Sequence, residues 1–161
     1  MPFVAMADAI PGTIASSSEY NKVVANVEQL DATRTKYKRA SASSSSVTVT
    51  ETVTDLPGAS VSVTTVELGT QVEVTAVFDV ESSGTNDIFL GTLVVDGAAA
   101  EAPEAHYRAT GRATITQSWL VSLGSIGAHT LKLQVAKVSN ANTILCYGTH
   151  THVTVRGQGV T

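Results

Sequence analysis

Any chemistry in this chain would have to come from a small set of residues. There are four histidines, His106, His129, His150 and His152. The last two lie two apart in a run that reads as a strand, so both rings are expected on one face. Such a pair holds a metal only when a third ligand arrives, for instance from a neighbouring chain. The plainer reading, two half-exposed rings among threonines, is the one adopted, with no metal and no cofactor. Cys146 is the only cysteine. It excludes an intrachain disulfide and a multi-cysteine metal site, and in "TILCYG" it reads as a small buried hydrophobe. Asp79, Glu81, Asp87, Asp96, Glu101 and Glu104 fall near turns or in the loop "AAAEAPEAH", where solvated acids belong. No G-x-S-x-G, phosphate-binding loop or dinucleotide fingerprint is present, and "SLGSIG" has the wrong order. "SSGTND" lacks the spacing of a calcium loop. No catalytic residue is assigned, and the expectation is a protein that is not an enzyme. Trp119, Tyr107 and Tyr147 could supply stacking faces for a glycan. Trp119 shares its strand face with Ile115, Val121 and Leu123, which suits a core anchor better.

The elements around these residues are mostly strands. "VTVTETVT" (47–54) alternates Val with Thr, as a half-exposed strand does. Further strands are expected at 60–68, 70–80, 88–95, 112–123, 129–138 and 143–157, with a turn at Leu56-Pro57-Gly58 and a bulge or break at Gly148. About eight strands joined by short turns predict an antiparallel β-sandwich, most simply a jelly roll, over residues 47–161.

Ahead of the strands lies a different kind of sequence. Residues 1–15 form an apolar arm carrying Phe3, Val4, Met6, Ile10 and Ile14, with a turn signal at Pro11-Gly12. They have too little local pattern to bury themselves and are expected to dock on another surface. Residues 16–39 read as a helix opened by a Ser16/Glu19 capping box. Its apolar positions Tyr20, Val23, Val27, Leu30 and Tyr37, with Arg34 interposed, step by three and four, and Val24 widens the stripe. That is the seam of a heptad repeat. At under three heptads the seam is marginal alone, so it either joins a larger oligomer or lies on its own β domain. The Ser-rich run 40–46, "ASASSSS", reads as a flexible linker.

The chain has 161 residues and a net charge of −4, with 43% hydrophobic and 15% charged residues. Residues 1–40 carry five basic and four acidic side chains, and residues 41–161 carry five and ten. This balance argues against nucleic-acid binding. No signal peptide and no membrane-spanning run is read, so membrane insertion is not expected. Low charge fits either surface hidden in an assembly or a Ser/Thr-coated sandwich.

The segment "IPGTIASSSEYNKVVANVEQLDA" resembles the N-terminal stretch of small structural proteins of tailed bacteriophages, particularly fibre-like and minor tail proteins. The matching positions are Gly12, Ile14, Ser16, Glu19, Tyr20 and Asn21. "FLGTLVVDG", "TITQSWLVSL" and "GAHTLKLQ" are loosely similar to phage surface domains, in outline like trimeric jelly rolls of the tumour-necrosis-factor type. The resemblance implies a homotrimer on a virion, made in the host cytoplasm, with helices around a threefold axis and β heads spread outward. It implies partners among capsid or tail proteins, with a host-surface glycan as a further candidate, and carries over no catalytic residues. Many tail fibres have a long shaft and none fits here, which raises capsid decoration as an alternative. A carbohydrate-binding module is the reading from a different class.

Overall fold

A computed structural model describes residues 17–99, 104–139 and 141–161. The arm residues Phe3, Val4, Met6, Ile10 and Ile14, Ser16 and the Glu19 side chain of the capping box lie outside the described residues. One helix, α1 (Ser17–Thr33), precedes eleven strands: β1 (Lys36–Ser41), β2 (Val47–Val49), β3 (Thr54–Thr65), β4 (Thr70–Ser82), β5 (Phe89–Val95), β6 (Ala98–Ala99), β7 (Ala105–Tyr107), β8 (Gly111–Leu123), β9 (Gly127–Lys137), β10 (Ile144–Cys146) and β11 (His152–Gly157).

All strand pairs are antiparallel, and several strands are halves of one broken strand. β10 and β11 pair end to end along the same side of β4, and β1 and β2 pair with them in turn. β8 runs along the other side of β4 over its whole length, from Thr70↔Leu123 to Ser82↔Gly111. In the second sheet β3, β9 and β5 lie side by side, and β6 and β7 share the outer edge of β5. Counted by position, each sheet is four strands wide. The eight positions make the expected sandwich of jelly-roll type.

Alternation along the strands builds the core. In β4, Val72, Val74, Ala76, Phe78 and Val80 are buried, and they meet Val61, Val63, Leu131, Leu133 and Val135 from the facing sheet. The Phe78 and Phe89 rings pack edge to face with centroids 5.5 Å apart. Gly91 makes room for this pair, because a Cβ there would stand 2.7 Å from the Phe78 ring.

Three expectations are corrected. The helix ends at Thr33, not at residue 39. Thr33 and Thr35 are β-branched, and all six residues from Lys36 to Ser41 find strand partners on β11, a tertiary gain that overrides the helical spacing. Tyr37 is therefore on β1, on the outer face of a sheet, and is no part of the helical seam. The Ser-rich run is not a free linker either. Ala40 and Ser41 finish β1, Ala42 is buried, the Ala42 N–H donates to the Thr151 carbonyl at 2.9 Å, and the Ser43 N–H donates to the Pro57 carbonyl at 2.7 Å. The head thus begins at Lys36. Finally, Leu56-Pro57-Gly58 does not reverse the chain. It is an irregularity inside β3, where the pairing with β9 shifts between Asp55 and Ser60 and Gly58 takes φ +80°.

Candidate functional site

The helix presents the largest feature that the head's own packing leaves unexplained. Tyr20, Val23, Val27 and Leu30 are exposed by 67, 43, 58 and 54%. The half-buried helix positions are Lys22, Ala25, Asn26 and Gln29, on the opposite side at 100° per residue. The apolar stripe is thus the exposed side, the reverse of what a helix laid on its own domain would show. The junction with the head is an open cavity of about 270 Å³, lined by Val27, Glu28 and Asp31 of α1, Lys36 of β1, and Val66, Val160 and their neighbours. Lys36 Nζ donates to Asp31 Oδ1 at 2.6 Å and ties the end of the helix to the first strand.

The aromatic residues do not form a common platform. Trp119 is 6% exposed, with its ring inside the sandwich, so it has no face to offer a ligand. Tyr107, on β7, packs against the core and donates its hydroxyl to the Gly111 carbonyl at 3.0 Å. Tyr147 is on the outer face of the β4 sheet. The Arg112 guanidinium lies 3.9 Å from the centre of its ring and covers one side, while the Tyr147 hydroxyl donates to Glu81 Oε2.

Around Tyr147 stands a cluster with no signature in residue spacing. Arg112 grips Asp79 with two bonds, Nε to Oδ1 at 2.9 Å and Nη2 to Oδ2 at 2.6 Å. Asp79 is buried, and the Arg112 fork holds its carboxyl below the usual range against the opposing effect of burial. Below it, the Thr151 hydroxyl accepts from the Asp79 N–H at 3.1 Å and donates to the Tyr147 carbonyl at 2.7 Å. Every carboxylate in the cluster is occupied by a neighbour. The arrangement locks the β10–β11 break onto β4 and β8 and leaves no acid free for proton transfer.

The remaining candidates resolve similarly. Gly148 does break the last run. A Cβ there would fall 1.9 Å from the Ser44 carbonyl oxygen, so only glycine lets the two segments touch. His150 is exposed in the resulting turn and His152 is half-buried at the start of β11, its Nδ1 3.1 Å from the His150 carbonyl. No group of three metal-ligating side chains occurs among the described residues. Cys146 is buried, and burial pushes its thiol up to about 11. His129, unremarked in the sequence, is buried between two acceptors: Asp96 Oδ2 at 2.6 Å from Nδ1 and the Ser125 carbonyl at 2.9 Å from Nε2. Asp87 is buried against Ser139, the Asn142 and Ala141 N–H groups and Lys137. Burial alone would raise its carboxyl, but these donors bring it down to about 2. Among the described residues, no helix is long and apolar enough to cross a membrane.

Comparison with known proteins places the fold. No family model and no curated protein matches this chain. A structure of the infectious bursal disease virus Gx strain matches with a TM-score of 0.50 at 13% identity, over 78% of this chain and 34% of that one. The crystal structure of an infectious bursal disease virus VP2 subviral particle matches with a TM-score of 0.50 at 11% identity, over 78% and 33%. A family 35 carbohydrate binding module from an environmental isolate matches with a TM-score of 0.43 at 12% identity, over 77% and 96%. The chain spans about a third of the length of the viral chains it matches. At these identities the likeness is one of fold alone, and the class it defines is the jelly-roll type of β-sandwich.

Proposed function

We propose that this chain is a non-enzymatic structural protein of a bacteriophage particle surface. It assembles as a homotrimer through Tyr20, Val23, Val27 and Leu30 and anchors to other virion proteins through its N-terminal arm. A minor-tail or fibre-like position is the first placement, and capsid decoration is the alternative. The observation that carries this reading is the exposed stripe. Four large apolar side chains at heptad spacing stand in solvent on a helix too short to be stable by itself. Burying them against copies of the same helix removes that cost. The jelly-roll fold supports a place in a particle, as does the sequence resemblance around Gly12 to Asn21. The stacking residues that a glycan reading needs are buried, covered or tied down, so no second reading is favoured.

The test is the solution mass of the full-length protein by light scattering at micromolar concentration. The expected mass is three chains, falling to one chain in the Val27→Asp, Leu30→Asp double variant. A single-chain mass for the unaltered protein would overturn the proposal.

A further inference from the structure

Twelve large apolar side chains are exposed among the described residues, and they are not scattered. Five belong to α1. Five more, Tyr37, Val66, Leu68, Leu120 and Ile126, belong to the end of the head from which the helix departs. Val66 and Leu68 are in the turn between β3 and β4, and Ile126 is in the turn between β8 and β9. The registers put both turns at that end: β4 starts at Thr70 opposite Leu123, and β1 starts at Lys36 opposite Gly157, which pairs with Val72. Val66 also lines the cavity beneath the helix. Tyr37 and Leu120 stand at the two edges of one row across the outer sheet face, Tyr37↔Arg156, Arg156↔Glu73 and Glu73↔Leu120. Among the described residues, the far end of the sandwich has Val53 and Val138.

We infer that this apolar end of the head is an interface covered by neighbouring copies of the same chain, continuous with the helical stripe. The inference rests on the trimer reading above and adds a head contact to it. Area is what requires it. A helix of 17 residues is about 26 Å long and about 10 Å across, so one face contributes roughly 260 Å². A stable protein interface takes about 800 Å² from each partner. The helix alone supplies about a third of that. The balance has to come from surface next to it, and the adjoining end of the head holds the exposed apolar side chains while the opposite end holds almost none. Five exposed large apolar side chains gathered at one end, with the charged Arg156 and Glu73 between Tyr37 and Leu120, mark a mixed surface of the kind that interfaces use.

The experiment is sedimentation equilibrium of the full chain in four forms, the unaltered chain and three double variants. Leu68→Asp with Ile126→Asp alters the helix end of the head, and Val53→Asp with Val138→Asp makes the same change of charge at the far end. All four positions are more than half exposed, so folding is spared, and circular dichroism melts confirm it. The first variant is expected to associate at least tenfold more weakly than the unaltered chain, and the second within twofold of it. Leu68→Lys with Ile126→Lys, which shifts the net charge the other way, should weaken association as much as the Asp pair. Equal association constants for the unaltered chain and both Leu68/Ile126 variants would overturn the head contact while leaving the helical trimer standing. An unaltered chain that stays monomeric at micromolar concentration would overturn the trimer and the head contact together.

Discussion

His129 is the residue whose behaviour the structure defines most sharply. Both ring nitrogens face acceptors, a carboxylate and a carbonyl, which only the doubly protonated imidazolium satisfies. Asp96 first and the Ser125 carbonyl second hold its pKa above the ordinary histidine range, and burial opposes them. The sign follows from linkage. A group with a raised folded pKa stabilises fully below its unfolded value, about 6.5, and the contribution is lost as pH rises through the higher folded value. The thermal midpoint is therefore expected to fall between neutral and mildly alkaline pH. His129→Gln, which cannot hold the charge, should flatten that fall, and parallel curves for the two proteins would remove the link. The same loops depend on Thr65, whose hydroxyl donates to the Ser125 carbonyl at 2.7 Å. Of these contacts the sequence showed nothing, since Asp96, Ser125 and His129 come from three different turns or strand starts.

At the scale of elements, strands were legible and their interruptions less so. Alternation located β4, β5, β8 and β9 to within about two residues, because each has one buried and one exposed face. The helix was legible up to Thr33 and misread beyond it. Arg34 and Tyr37 continue the heptad spacing by number alone, whereas Lys36–Ser41 gains a complete ladder with β11. The run "ASASSSS" looks like a linker by composition, yet Ala42 to Ser44 is pressed against the β10–β11 turn. That contact gives the element-scale prediction. Gly148→Ala would place a methyl group on the Ser44 carbonyl, so it should destabilise the head by about 2 kcal/mol or more, of the order seen for overpacked cores. Urea unfolding measures it. A midpoint within error of the unaltered protein would mean that the 42–44 segment moves aside without cost.

At the scale of the whole molecule, the helix and the head are expected to be energetically separate. Among the described residues, the buried core begins at Ala42 and includes no side chain of α1. Among the described residues, the Asp31–Lys36 ion pair and the cavity rim join the helix to the head. Exposed ion pairs of this kind are screened by water and add little to stability. A fragment of residues 34–161 is thus expected to fold and to melt within about 4 °C of the dilute Val27→Asp, Leu30→Asp variant. A fragment that fails to fold, or melts far lower, would show that the helix is part of the head's stability. In the proposed trimer the helix acts between chains, and the apolar end of the head beside it is the surface that the inferred contact with neighbouring copies would use.

The amino-acid sequence by itself determined the periodicities: a 3.5-residue stripe near the front and two-residue alternation behind it. These are local properties, fixed by which side chains can share a face of a helix or a strand. Only the tertiary structure decided which faces are covered. It drew Trp119 inside, set Arg112 over Tyr147, pulled Tyr37 onto a sheet, and left the helical stripe and the adjoining end of the head in solvent. Burial and ion pairing depend on residues far apart in the chain, such as Asp79 with Arg112 and Asp96 with His129, and no spacing along the sequence encodes such meetings.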